Sequence, residues 1–207
     1  MTKMHMLRKV FIGILALLLT ASLLTACGKR GQEDFEKGKA AYDDGHYHLA
    51  ATYFALAADK GNADAMIQLG ECYFHGRGVN EDEKEAIRLF RKLADKGNTE
   101  AMLRLAECYY GETEVVERIK WIRKAAKKGN TEAMLQLAIC YLNGGVVKKD
   151  EKEAVKWIRK AAEKGNANAM SILAGFYYEG RGVKKDEKEA EKWSRKAEEA
   201  WQKEQNK

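Results

Sequence analysis

Gly129-Asn130-Thr131-Glu132-Ala133-Met134 has counterparts beginning at Gly61, Gly97 and Gly165, each reading Gly-Asn-x-x-Ala-Met, so the chain repeats itself at intervals of 36, 32 and 36 residues. Each copy reaches a Tyr eleven residues past its Asn (Tyr73, Tyr109, Tyr141, Tyr177), crosses a connector and enters a second segment carrying Arg-Lys. Ala65, Leu69 and Tyr73 fall at i, i+4 and i+8; Ala154, Trp157, Ile158, Ala161 and Ala162 fall at i, i+3, i+4, i+7 and i+8. Two apolar stripes at helical spacing predict two helices per repeat. One such pair cannot bury its own apolar faces, so the copies must stack on one continuous core.

The punctuation agrees. The Gly of each joint suits the left-handed end of a helix and the Asn suits the cap of the next. Asp82-x-x-Glu85, Asp150-x-x-Glu153 and Asp186-x-x-Glu189 read as capping boxes that open the second helices. The 207-residue chain has no Pro, and loops such as Gly76-Arg77-Gly78 and Gly180-Arg181-Gly182 turn on Gly, with Arg77 and Arg181 expected in solvent.

The first 27 residues are of another kind. Lys3, Arg8 and Lys9 lead into an apolar run from Val10 to Leu24, too short for the roughly 20 residues of a membrane span, which predicts an export signal. Leu24-Thr25-Ala26-Cys27 resembles the lipobox of bacterial lipoproteins, which implies cleavage before Cys27 and lipid attachment to it. The alternatives are an uncleaved anchor or an ordinary signal peptide. Gly28 in place of Asp implies an outer-membrane or cell-surface destination where the host has an outer membrane. Loss of residues 1–27 takes the formal charge from +6 to +3, and the remaining charges alternate along helix faces without a basic, aromatic-interleaved stripe, so nucleic acid is not expected as a partner.

Of four cysteines, Cys72, Cys108 and Cys140 share one repeat position. Equivalent positions on stacked helices lie about 10 Å apart, beyond the roughly 7 Å between Cα atoms of a disulfide, so three buried free thiols are expected. No metal site or cofactor is expected, and no hydrolase motif is present. His46 and His48 read as turn residues, and Trp121, Trp157 and Trp193, sharing one position, as packing.

Ala133, Leu137, Ala138, Tyr141, Gly144, Asp150, Ala154, Trp157, Ala161, Ala162 and Gly165 together resemble the Sel-one-like repeat, a branch of the tetratricopeptide repeat superfamily, over about residues 35–201. The resemblance implies an all-α, right-handed solenoid of antiparallel helix pairs. The expected organisation is a signal peptide at 1–27, a short tether at 28–34 and a tetratricopeptide-like pair at 35–61. Repeats follow at 62–97, 98–129 (shortened), 130–165 and 166–201, the last with a capping helix, and a frayed end covers 202–207. In the third repeat Gly111-Glu112-Thr113-Glu114 replaces a longer connector and Arg118 stands where Ala86, Ala154 and Ala190 stand elsewhere, which predicts irregular packing there. Ser194 and Glu198 in place of Ile158 and Ala162 predict the end of the stack.

By resemblance, function belongs to the concave groove made by the first helices. Its expected lining is Ile67, Glu71, Phe74, Leu103, Glu107, Tyr110, Leu135, Leu142 and Tyr178, with Phe74, Tyr110, Leu142 and Tyr178 as a ladder of apolar anchors. The expected function is a lipid-anchored, non-enzymatic envelope adaptor for a protein or peptide. The alternative is a cell-wall or penicillin-type ligand-binding protein or hydrolase using groove carboxylates such as Glu71 and Glu107. Related cysteine-rich proteins pair Cys within a repeat, and this sequence lacks that arrangement.

Overall fold

The computed structural model describes residues 28–205, and all regular structure among them is helical. Helix α1 covers 28–43. It is followed by α2 (Tyr47–Asp59), α3 (Ala63–His75), α4 (Glu83–Asp95), α5 (Thr99–Glu107) and a 3-10 turn (Glu112–Glu114). Then come α6 (Val115–Lys127), α7 (Thr131–Asn143), α8 (Glu151–Glu163), α9 (Ala167–Glu179) and α10 (Glu187–Gln205). The fold class is the expected all-α repeat of helix pairs. The leader, its lipobox and Cys27 lie outside the described residues. Two boundaries need correction. The supposed tether at 28–34 belongs to α1, because the buried stripe of Phe35, Gly38 and Ala41 continues back to Gly31 and Asp34 pairs with Lys60 after α2. Residues 202–205, expected to fray, continue α10.

The described residues form two compact units, one ending at Phe90 and one beginning at Arg91. In the first, small residues admit large ones. A Cβ on Gly38 would lie 2.6 Å from the ring of Phe54, and one on Gly70 would lie 2.5 Å from the ring of Phe90. The corresponding positions of the second unit hold Ala106 and Ala138 with Ile122 and Ile158, all buried. Glycine with phenylalanine and alanine with isoleucine fill similar volumes, the kind of exchange that a packed core tolerates.

In the second unit α5 through α10 pack each on the next. The Gly-Asn joint does more than cap. Asn130 Oδ1 accepts the Ala133 N–H at 2.9 Å while its Nδ2 donates to Thr99 Oγ1 at 3.3 Å. Asn166 repeats this, accepting from Ala169 at 2.8 Å and donating to Thr131 Oγ1 at 3.2 Å. One side chain thus satisfies an orphan helix donor and ties the start of its helix to the preceding first helix. The second helices use Asp: Asp150 Oδ1 accepts the Glu153 N–H at 2.9 Å, and Asp186 that of Glu189 at 3.0 Å.

The third repeat departs from this scheme. Helix α5 has 9 residues where α7 and α9 have 13. A connector four residues shorter leaves too little chain to cross from a full first helix to a second one, so the last turn of α5 unwinds to supply it. At the other end α10 closes the core with Ala190, Trp193 and Ala197 and turns Glu191, Ser194 and Glu198 to solvent.

Candidate functional site

The repeated aromatic and cysteine positions are mostly structural. Trp121, Trp157 and Trp193 are buried, and the ammonium groups of Lys124, Lys160 and Lys196 lie 3.7, 4.3 and 4.4 Å from their ring centroids. Trp-x-x-Lys on one helix places a cation over the ring each time, so the Lys stem covers apolar surface while its charge stays wet. Two of the tyrosines join repeats: Arg91 donates to Tyr109 Oη and Arg159 to Tyr177 Oη, each at 2.5 Å. The sequence signal is an Arg eighteen residues before the Tyr, a spacing that Arg123 and Tyr141 share without the bond, so spacing alone does not decide it. Cys72 and Cys108 are buried thiols outside any disulfide, and burial pushes the Cys72 thiol up to about 11. Cys140 is free but only half-buried, a correction to the expected burial, because it lies at a cleft rather than in the core.

Arg77 and Arg181 are exposed, as expected, and each also reaches the preceding repeat. Arg77 donates to the Tyr42 hydroxyl, and Arg181 reaches Glu151 at 3.4 Å and Glu179 at 3.7 Å. The Gly on the far side of each Arg lets the loop press on the preceding repeat. A Cβ on Gly182, at φ +62°, would lie 2.4 Å from the Glu151 carbonyl oxygen. The two Arg-bearing loops are therefore clasps between repeats. His46 and His48 are exposed turn and helix-start residues, as expected.

The proposed groove lining separates into three groups. Ile67, Leu103 and Leu135 are 5, 6 and 9 % exposed, so they belong to the core and drop out as partner contacts. Helical geometry explains the correction: the solvent face of each first helix lies one residue further on, at Gln68, Arg104, Gln136 and Ile172, where more side chain is accessible. Phe74 and Leu142 are half-buried, Phe74 edge-on to His75 at 5.0 Å. Tyr110 and Tyr178 are 67 and 61 % exposed. Tyr110 does not continue a helical ladder, however, since α5 has already ended at Glu107 and the residue lies in the loop.

The carboxylates are each engaged on their own helix. Glu71 lies 3.4 Å from His75 Nε2, and Glu107 pairs with Arg104 at 3.0 Å, which also holds Glu100 at 2.9 Å. Arrangements of this kind stabilise helix surfaces by tenths of a kcal/mol and present no free general base. Among the described residues no group of His, Cys, Asp and Glu converges as a metal site. No described helix is long and apolar enough to cross a membrane.

Two further openings lie in the second unit. Ala106, Glu107, Arg118, Ile122, Gln136, Ile139 and Cys140 line a cleft of about 360 Å³ where α5 has lost its last turn. Arg118, the expected irregularity, is half-buried there. A wider cleft of about 650 Å³ lies between α9 and α10, with Ser171, Gly175, Tyr178, Glu191 and Ser194 among its lining. Gly175 is unusual: it is exposed in mid-helix and a Cβ there would meet nothing within 4 Å, so packing does not require it.

The comparisons with known proteins agree with this arrangement. The Sel1 repeat family model matches residues 39–62, 63–98, 99–130, 131–166 and 167–200. The crystal structure of a Sel1 repeat protein from Oxalobacter formigenes is 30 % identical with a TM-score of 0.70, covering 82 % of this chain and 72 % of its own. A protective antigen present in uropathogenic Escherichia coli strains, described as displaying an SLR fold, is 28 % identical over 81 % of this chain and 45 % of its own, with a TM-score of 0.50. An immunity protein from Pseudomonas aeruginosa shares the fold at 22 % identity and a TM-score of 0.57, over 81 % of this chain and 64 % of its own. No curated protein sequence matches. Five consecutive matches cover most of the chain, and the Asn joints, Trp positions and Gly clasps repeat within them: the chain belongs to the Sel1 repeat family.

Proposed function

We propose that this protein is a lipid-anchored adaptor of the bacterial envelope that captures a protein or peptide on the exposed face of its first helices. Sel1 repeats form a non-enzymatic scaffold for protein–protein interaction. The observation that carries the finer reading is the unsatisfied apolar surface on that face in the second unit. Ile139 on α7 is 54 % exposed and Ile172 on α9 is 41 % exposed, with Tyr178 beyond them. Gly175 opens the same face of α9, which a packing argument does not explain. Apolar anchors on neighbouring helices, bordered by Gln136, Glu132 and Asn168, suit a partner segment that brings apolar side chains to a polar-rimmed surface. The engaged state of Glu71 and Glu107 favours this reading over hydrolysis.

The membrane anchor is supported by Leu24-Thr25-Ala26-Cys27 after a basic and apolar leader. Photocrosslinking from position 136 or 168, which border the apolar anchors, in intact cells tests the adaptor. The expected result is one dominant envelope protein, lost in the Ile139→Ser, Ile172→Ser variant at unchanged helical content. Identical crosslinks in the variant would remove this face. Fatty-acid labelling of wild type and Cys27→Ser tests the anchor separately, and labelling that persists in the variant would sink it.

A further inference from the structure

The connectors of the last two repeats differ from the others in charge. Residues 144–149 read Gly-Gly-Val-Val-Lys-Lys and residues 180–185 read Gly-Arg-Gly-Val-Lys-Lys, whereas the second repeat has Asn80 and Glu81 at the Lys positions and the third has an acidic connector. On each of α4, α6, α8 and α10 one basic residue has a partner built in three residues earlier. Glu85 holds Arg88, Glu117 holds Lys120, Glu153 holds Lys156 and Glu189 holds Lys192. Lys148, Lys149 and Lys184 are exposed and have no ion pair with any described residue. The acids that follow these lysines in the sequence are engaged: Asp150 and Asp186 accept from helix-start amides, Glu151 meets Arg181, and Glu187 meets Lys185.

The two loops are also adjacent, since the close approach of Gly182 to the Glu151 carbonyl seats the second loop against the start of α8, directly after the first. Apolar and aromatic side chains flank the lysines. Val146 is 52 % exposed, Val183 is half-buried, and Tyr178 is exposed with Lys185 Nζ 5.2 Å from its ring centroid. Three unpaired lysines, an exposed aliphatic in the same loop as Lys148 and Lys149, and a tyrosine under the paired Lys185 suit the boundary between water and lipid headgroups, where phosphates take the cations and amphipathic rings settle.

We propose that this edge of the second unit, formed by residues 144–149 and 180–185 with Tyr178, docks on anionic phospholipid headgroups. It deepens the envelope reading and shares only Tyr178 with the partner-binding face. The exposed apolar groups favour lipid over an acidic protein, which would match the charge alone.

The full chain is incorporated into vesicles of phosphatidylcholine and into the same vesicles carrying phosphatidylglycerol, and amide exchange is followed loop by loop. The expected result is slower exchange of both loops on anionic vesicles by one to two orders of magnitude, from three lysines acting together, lost at high salt and in the Lys148→Glu, Lys149→Glu, Lys184→Glu variant. Val146→Ser should lose part of it, with the helices unchanged. Equal exchange on the two vesicle types, or protection that survives the triple variant, overturns the proposal. So does protection conferred by soluble polyglutamate and not by lipid, which would assign the edge to an acidic protein. Failure to associate with neutral vesicles counts against the anchor, and leaves the anionic comparison to decide the edge.

Discussion

The third and fourth repeats share a core and differ at their surface. Leu105 and Leu137 are fully buried at equivalent positions, as are Ala125 with Ala161 and Ala126 with Ala162. Between the helices the fourth repeat has a full α7, a Gly-rich loop and an Asp cap, while the third has a truncated α5, a 3-10 turn and no side-chain cap at Glu114. The difference shows that the buried stripes set repeat identity while connector length is free to change, at the expense of the turn closest to it. Loops tolerate such changes because they carry few core contacts.

The largest test of this view is in the core. Leu105→Ala and Leu137→Ala should each destabilise by about 2–5 kcal/mol and by similar amounts in denaturant titration. A much smaller loss at Leu105 would mean that the irregular repeat is loosened throughout. Next come the caps. Asp150→Ala should remove about 1 kcal/mol with its hydrogen bond to the Glu153 N–H, and Glu114→Ala should lie within error of wild type. Equal losses would break the distinction.

Restoring the missing length is a smaller perturbation. Four residues inserted after Gly111 should rewind the last turn of α5, seen as slowed amide exchange at 108–111 with little change in overall stability. Unaltered exchange would show that sequence, not length, ends the helix. The smallest expected effect is at the thiols. Burial raises the Cys140 pKa, and the charges of Arg118 and Arg123 hold it down in part. Alkylation of Cys140 should therefore exceed that of buried Cys108 and climb as pH rises through and above the ordinary thiol range. Arg118→Ala removes a charge that favours the thiolate, so the climb should move to higher pH. A shift to lower pH would contradict the assigned electrostatics.

Much of this was legible beforehand because it is local. The Gly-Asn joints, the Asp boxes and the interval between repeats follow from backbone chemistry within a few residues. The capping end was readable too, since Ser194 and Glu198 interrupt a stripe that three earlier second helices keep. The site was less legible. Ile67, Leu103 and Leu135 are one residue away from Gln68, Arg104 and Gln136, and a step of about 100° around a helix separates core from solvent. Nothing local says which side of a wide apolar stripe the neighbouring repeat will cover.

By itself the sequence determined that the protein is an all-α stack of Sel1-type helix pairs, where its repeats begin and where the stack ends. Periodicity and caps are properties of single helices, and they survive without knowledge of neighbours. Only the tertiary structure decided that Arg77 and Arg181 clasp preceding repeats, that α5 stops at Glu107, that Ile139 and Ile172 face solvent, and that two lysine-bearing loops share one edge. These depend on how one element packs against another, which fixes the exposure of a side chain and the distance between groups far apart in the chain.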